Sequence, residues 1–390
     1  MDGRHRCDRP DGRCPGVTRR PVMIFHVAYR LDPNAGKASS IRPLRMRRAF
    51  EDIGYDVHEV SGTHEERREQ IRELRQQVRA GLPVEFVYSE ASTTPTGLGE
   101  KVTRATSLRR DIAFLRFCQR SGIPVGLFYR DAYWRFPIYD DLVRWPVRTV
   151  LRGFYRWDLW RYRRAGLRIY LPSMRMAEWL PILKRDRMRE LPPGGEPRAL
   201  DRRARGDKTA LFYVGGLGDN YRLHESVAEI AGRDDTTLTI CVPEAQWEDR
   251  KHEYLDRWAD NITVVHASGP QLDALYAEAD ACLMAVDPII YWGFAAPVKL
   301  FEAVSRGKPI ITSSGTYAGD FVTKNRLGWA VEYGTGALSD VLDQLRKDPA
   351  LLDEAGQRVA AIRSHHTWEA RARAVAEDLG STPPTLLEAP

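Results

Sequence analysis

Short, almost wholly apolar runs recur along this chain, each set off from the next by a segment long enough for a helix. They are residues 22–28 (VMIFHVA), 84–88 (VEFVY) and 123–129 (IPVGLFY), then 210–214 (ALFYV), 237–242 (TLTICV), 262–266 (ITVVH) and 281–286 (ACLMAV). A continuous apolar run marks a strand covered on both faces, and helix-length connections make such strands parallel. The first unit reads as strand 22–28, a loop to Ser40, a helix opened by Arg42-Pro43 and stopped by Gly54, and a strand over 55–60 (YDVHEV). That order predicts an α/β fold. The rhythm breaks at 184–208 (KRDRMRELPPGGEPRALDRRARGDK), where charge, Pro and Gly crowd together and mark a domain boundary.

Two stretches of the second half carry candidate chemistry. Residues 297–313 (PVKLFEAVSRGKPIITS) read as a short helix running into a buried strand. Pro297 suits the first helical position, Leu300, Phe301 and Val304 form one apolar face, and Gly307 with Pro309 ends the helix. Lys299 lies in the first turn, where the helix dipole disfavours a cation, and Glu302 stands three residues on. One reading is a surface Lys–Glu pair. The other is an anion held by Lys299 and the helix N-terminus, with Glu302 accepting from sugar hydroxyls. The second stretch is Gly215-Gly216-Leu217-Gly218-Asp219-Asn220-Tyr221-Arg222, a glycine-rich turn after a strand where backbone N–H groups can approach a phosphate. It lacks the Gly-Lys-Ser/Thr of a P-loop.

In the first half, the loop after strand 22–28 offers Asn34, Gly36, Lys37, Ser39, Ser40 and Arg42 as ligand contacts, or is a plain polar loop; no GxGxxG is present. Asp131 follows strand 123–129 directly. It reads as a base or a hydroxyl acceptor at a strand's carboxyl end, or as the cap of a turn beside Arg130. Residues 133–168 combine Trp134, Trp145, Trp157 and Trp160 with many arginines. Val147, Val150, Leu151, Phe154 and Trp157 share one helical stripe and Arg148, Arg152 and Arg156 another. Residues 145–168 therefore read either as a helix lying on an anionic membrane or as a core helix with solvated arginines.

Composition narrows the partners. The net charge of +6 and pI near 9.0 favour anionic ones. The cysteines, Cys7, Cys14, Cys118, Cys241 and Cys282, show no disulfide framework, which suits a reducing compartment. Cys7 and Cys14 have only His5 nearby, too few ligands for a metal site. No apolar run reaches membrane-spanning length, and residues 1–20 lack a signal peptide's apolar core and read as a disordered tail.

The second half resembles the GT-B glycosyltransferases, especially the retaining family-4 type (glycosyl transferases group 1). The resemblance rests on residues 297–311 (PVKLFEAVSRGKPII), on 191–196 (LPPGGE), on 214–217 (VGGL), on 264–280 (VVHASGPQLDALYAEAD) and on 366–369 (HTWE), in that family's order and spacing. It is firm over 190–380 and weaker over 21–190. It implies two Rossmann-like domains facing across a cleft: an acceptor domain over 21–190 and a nucleotide-sugar domain over 191–364. A helix over 365–382 would cross back to the first domain, and 383–390 would be a tail. The resemblance further implies sugar transfer from an NDP-sugar to a glycan or lipid-linked acceptor in envelope polysaccharide or glycolipid synthesis. The setting would be the cytoplasm or the inner membrane face, with neither metal nor other cofactor. Carried over by position, Glu302 would bind the ribose hydroxyls, and Lys299, helped by Arg222, the diphosphate; Gly215 and Gly216 would admit it. Asp131, read from its place after strand 123–129 and not from the family pattern, would orient or deprotonate an acceptor hydroxyl.

The sequence also departs from that pattern. Phe294 stands where the family has the first carboxylate of its Glu-x7-Glu pair, Gly216 replaces an arginine, and Tyr221 a lysine. The family's first-domain histidine is missing, with Arg130-Asp131 near its place. These departures support a rival reading, a non-catalytic GT-B scaffold binding a nucleotide, glycan or partner protein. The arginines of 133–168 raise nucleic acid as a further partner, but no nucleic-acid motif accompanies them.

Overall fold

The computed structural model describes residues 20–32, 38–96, 98, 107–198 and 206–384. The 1–19 part of the expected tail, most of the tail at 383–390, Cys7, Cys14, Asn34, Gly36 and Lys37 lie outside them, as do the side chains of Ser39 and Ser40.

The first half runs β1 (Val22–Val27), α1 (Ala38–Asp52), β2 (Asp56–Val60), α2 (His64–Arg79), β3 (Val84–Glu90), α3 (Ser107–Arg120) and β4 (Val125–Phe128). It continues with α4 (Pro137–Leu142), α5 (Val147–Ala165), β5 (Arg168–Leu171) and β6 (Met188–Glu190). These strands form one parallel six-stranded sheet, ordered β2-β1-β3-β4-β5-β6.

The second half runs β7 (Thr209–Val214), α6 (His224–Ile230), β8 (Thr236–Cys241), α7 (Glu244–Arg250), β9 (Ile262–Val265), α8 (Gln271–Glu278) and β10 (Ala281–Met284). There follow α9 (Val298–Ser305), β11 (Ile310–Ser313), α10 (Tyr317–Asn325), β12 (Gly328–Val331), α11 (Ala337–Lys347), α12 (Ala350–Ile362) and α13 (Trp368–Asp378). Its parallel sheet is ordered β12-β11-β10-β7-β8-β9. The chain thus carries the GT-B architecture, two such sheets flanked by helices.

The first sheet is covered on both faces, as its apolar runs require. Ile24, Val87, Val125 and Leu127 point to α3 and α5, while Met23, Phe25, Val27, Phe86 and Tyr88 point to α1 and α13. Helix α13 therefore packs on the first half, through Trp368, Ala372, Val375 and Ala376. Tyr170 Oη donates to Asp378 Oδ2 at 2.9 Å, fixing the far end of that helix. Local signals set several boundaries. Thr63 and Glu66 close a capping box on α2, and Gly166, at φ +71°, ends α5.

Four local readings change. The charged stretch 184–208 is not all linker, because Met188–Glu190 pairs with β5 as the sixth strand. Its Arg and Glu side chains hid it, since an edge strand needs no continuous apolar run. Helix α1 begins at Ala38 and contains Pro43, instead of opening at Arg42-Pro43. Pro297 is the cap of α9, with extended backbone (φ −75°, ψ 138°), and the helix proper begins at Val298. Finally, α5 turns Tyr155, Leu159 and Tyr162 to the core, one step from the expected stripe. Two of the arginines assigned to its solvent face are engaged. Arg148 and Arg152 both reach Asp140 of α4, at 3.4 and 2.5 Å.

Candidate active site

In an open parallel sheet, ligands bind beyond the carboxyl ends of strands where the strand order reverses direction. In the second sheet that point falls between β7 and β10. The glycine turn follows β7 and the segment leading into α9 follows β10, so Gly215, Gly216 and Lys299 are brought together by topology. The loop after β4, with Arg130 and Asp131, faces them from the other half. The result is a cavity of about 460 Å³ lined from both halves, by Arg42, Phe128, Arg130 and Asp131 on one side and Gly215, Gly216, Tyr221, Tyr291, Lys299 and Glu302 on the other.

Lys299 has no carboxylate partner among the described residues. Its ammonium stands 4.5 Å from the Tyr213 ring centre and 4.8 Å from that of Tyr221, and donates weakly to Tyr213 Oη at 3.4 Å. These aromatic faces attract a cation but do not neutralise it. Burial pulls the Lys299 pKa down to about 7. The surface Lys–Glu pair is not formed. Glu302, one turn on, lines both this cavity and a neighbouring one of about 660 Å³ with Gly269, Pro270, Arg198 and Arg306. Burial raises the Glu302 pKa, with Arg306 and Arg45 opposing and Asp273 adding to the rise.

The glycine turn comes close to the lysine. Gly215 has φ +153°, and a Cβ there would lie 3.3 Å from Lys299 Nζ and 3.2 Å from Tyr213 Oη. Tyr213 Oη donates to Gly216 O at 2.6 Å, and Leu217 N to Gln246 Oε1 at 3.1 Å, so the turn is held from both sides. Arg222 is not part of this constellation. It is half-exposed, faces Asp287 at 3.9 Å, and is absent from the cavity lining because the chain turns away after Tyr221.

Asp131 combines its two readings. Its Oδ1 accepts from Tyr133 N at 2.8 Å, a local turn cap, while its Oδ2 accepts from Tyr291 Oη of the other half at 2.6 Å. Burial raises its pKa to about 6 against those two hydrogen bonds. Phe294 stacks on Phe136 across the halves, ring centres 5.2 Å apart, and its carbonyl accepts from Ser173 Oγ at 2.6 Å. Where the resemblance leads one to expect a carboxylate, an apolar side chain packs the interface instead.

The sequence reading missed residues in the wall and behind it. Buried Glu90 pairs with Arg42 at 3.2 Å and Arg130 at 3.5 Å, and accepts from Tyr88 Oη at 2.9 Å. Glu90 closes a strand whose apolar pattern hides its role. Tyr291 sits in an irregular loop, and only its neighbours Trp292 and Phe294 hinted at a packed aromatic wall. Among the described residues, no group of three or more His, Cys, Asp and Glu is placed to hold a metal ion.

The fold and the cleft define a class, the GT-B glycosyltransferase architecture. Residues 208–348, the whole second sheet with helices α6 to α11, match the family model described as glycosyl transferases group 1. Comparison with curated protein sequences gave no match. Among solved structures the chain is similar to a sucrose-phosphate synthase from Thermosynechococcus elongatus, at 16% identity and TM-score 0.61, covering 92% of this chain and 98% of that one. It is similar also to WaaG, a glycosyltransferase involved in lipopolysaccharide biosynthesis, at 14% identity and TM-score 0.56, covering 92% and 100%. A third is HepE from Anabaena in complex with UDP and glucose, at 10% identity and TM-score 0.60, covering 92% and 99%. At these identities the structures speak for the fold, and the group 1 family match for the second half.

Proposed function

We propose that this protein is a glycosyltransferase that moves a sugar from an NDP-sugar to a hydroxyl of a glycan or lipid-linked acceptor. The observation that carries the reading is the unneutralised Lys299 ammonium, set at the second sheet's switch point, beside a glycine turn and one helical turn from Glu302. On this reading the diphosphate lies between Gly215, Gly216 and Lys299. Glu302 accepts from the ribose hydroxyls, and the base extends into the neighbouring cavity beside Gly269 and Pro270. The HepE structure holds UDP, which makes uracil the first base to try.

When the sugar–phosphate bond breaks, negative charge grows on the departing diphosphate. On this reading Lys299 and the N–H groups at the start of α9 face that charge, so little reorganisation is needed. Asp131, across the cavity, takes the proton of the acceptor hydroxyl as it attacks. A carboxylate with a pKa near 6 is a better base at neutral pH than an ordinary aspartate. The positive charge at the leaving group comes from protein side chains and backbone, so turnover should survive a chelator.

The test is nucleoside diphosphate release from a panel of UDP-, GDP- and TDP-sugars with wild type, Lys299→Ala and Glu302→Ala. Release by wild type and its loss in both variants supports the reading; near-normal values in both variants overturn it. The second reading, a non-catalytic scaffold, is favoured by Phe294 at the family's carboxylate position. It predicts nucleotide or glycan binding without release from any donor.

A further inference from the structure

The corner between α4 and α5 exposes apolar side chains that no other described residue covers. Leu142 is 66% exposed, Trp145 74%, Val147 56% and Val150 57%. Along the outer face of α5, Val150, Trp157, Trp160 and Arg164 follow at helical spacing, with Trp160 51% exposed. Scattered single apolar residues on a surface need no explanation, but a contiguous set does.

Charge selects the occupant. Helix α5 carries six arginines and one acidic residue, Asp158. Asp158 is buried and accepts from Thr96 N at 2.7 Å, so it does not offset the outer face. Arg148 and Arg152 are occupied by Asp140 and Arg163 donates to Ile182 O, which leaves Arg144, Arg156 and Arg164 exposed beside the apolar set, against one further exposed carboxylate, Asp141. Tryptophan and valine backed by arginine suit the boundary between headgroups and acyl chains of an anionic bilayer.

The same surface lies next to the cleft. Asp131 lines the cavity, and the chain runs from it through Tyr133 and Phe136 directly into α4. Phe136 meets Tyr291 and Phe294 of the opposite wall. On that wall Ile290, beside Tyr291, is 72% exposed. Leu142 stands one short helix, roughly 9 Å, beyond Phe136. Apolar side chains thus reach solvent from both halves near the cleft.

We propose that the α4–α5 corner and the outer face of α5 seat this protein on an anionic lipid bilayer, with the cleft held at the membrane surface for a lipid-linked acceptor. The acceptor's tail stays in the bilayer while its sugar hydroxyl reaches Asp131. This assignment of the acceptor class rests on the glycosyltransferase reading; the lipid contact itself does not.

The test is sedimentation of the full chain with vesicles of phosphatidylcholine alone and of phosphatidylcholine mixed with phosphatidylglycerol, at physiological salt. Binding to the mixed vesicles is expected, weakened by about fivefold for each of Arg144→Gln, Arg156→Gln and Arg164→Gln. The paired change Trp145→Glu with Val150→Glu should abolish it, and brominated acyl chains should quench tryptophan fluorescence in wild type only. UDP-sugar affinity, read by calorimetry, should be unchanged in these surface variants, whereas Lys299→Ala should lose nucleotide and still sediment. The two proposals therefore fail separately. Absence of binding to mixed vesicles, or binding unaffected by the paired change, overturns the membrane seat. A dimer of wild type that the paired change dissolves, with no vesicle binding, assigns the surface to a second copy instead.

Discussion

Titrating the affinity for an NDP-sugar probes the site at its most unusual group. Burial places the Lys299 pKa at about 7, with the neutral rings of Tyr213 and Tyr221 against its ammonium and no carboxylate partner among the described residues. An NDP-sugar is a diphosphate diester, so its charge is constant near neutrality and the lysine is what titrates. The ligand favours the ammonium, so binding raises the lysine's pKa and draws in a proton at pH above 7. From about one unit below that pKa to one unit above it, the protonated fraction of free Lys299 falls from roughly nine-tenths to one-tenth. Affinity should fall about tenfold over that span, or ~1.4 kcal/mol. Calorimetry in two buffers of different ionisation enthalpy reads both the affinity and the proton uptake. Lys299→Arg keeps its charge throughout and should flatten the profile at high affinity. Lys299→Met should flatten it at low affinity. Asp131 and Glu302, also raised by burial, lose protons in the same direction; whatever slope they contribute persists in both variants and can be subtracted. A flat wild-type profile, or a Met variant that keeps the wild-type slope, would refute the reasoning.

Asp131→Asn should lower kcat by roughly 10²–10⁴ while leaving nucleotide affinity intact, and the wild-type rate should drop as pH falls through about 6, where the base takes up a proton. Arg222→Ala should leave NDP-sugar affinity within about twofold, since the side chain is half-exposed and outside the cavity. Gly215→Ala should weaken binding sharply without unfolding the protein, because its Cβ would enter the space beside Lys299 Nζ; a thermal melt with and without ligand separates the two effects. Asp111→Ala should destabilise the first half by about 3–5 kcal/mol, read by urea unfolding, because buried Arg67 at 3.0 Å and His26 at 3.1 Å would both lose this buried carboxylate. Burial alone would raise the Asp111 pKa, but His26 and Arg67 outweigh it and bring it to about 2. Its stabilisation is therefore complete above the unfolded carboxylate range and lost as pH falls through about 2.

The α/β class and most strands were legible because each is encoded within a few consecutive residues. A run such as VMIFHVA can be satisfied only where both sheet faces are covered, and β1 is buried at every position. Helix α9 was readable from its apolar face and its Gly307 stop. Strand β6 was not, because its residues carry charge and its partner β5 decides its structure. The face that α5 buries was displaced for a similar reason. Arg148 and Arg152 found Asp140, and Tyr155 stacked on Trp134 at 5.0 Å, both contacts with a preceding segment that periodicity alone does not report.

The order of elements, the positions of the glycines and the placing of a lysine and a glutamate on one helical turn are properties of the sequence itself. They depend on backbone preferences and on burial period, which act over a window of several residues. What the lysine meets is decided by the tertiary structure. Tyr213 and Tyr221 strip water from Lys299 without neutralising it, and Tyr291 reaches Asp131 from 160 residues away. Desolvation and pairing of this kind arise only when distant segments pack together, and they turn ordinary side chains into a site with shifted protonation.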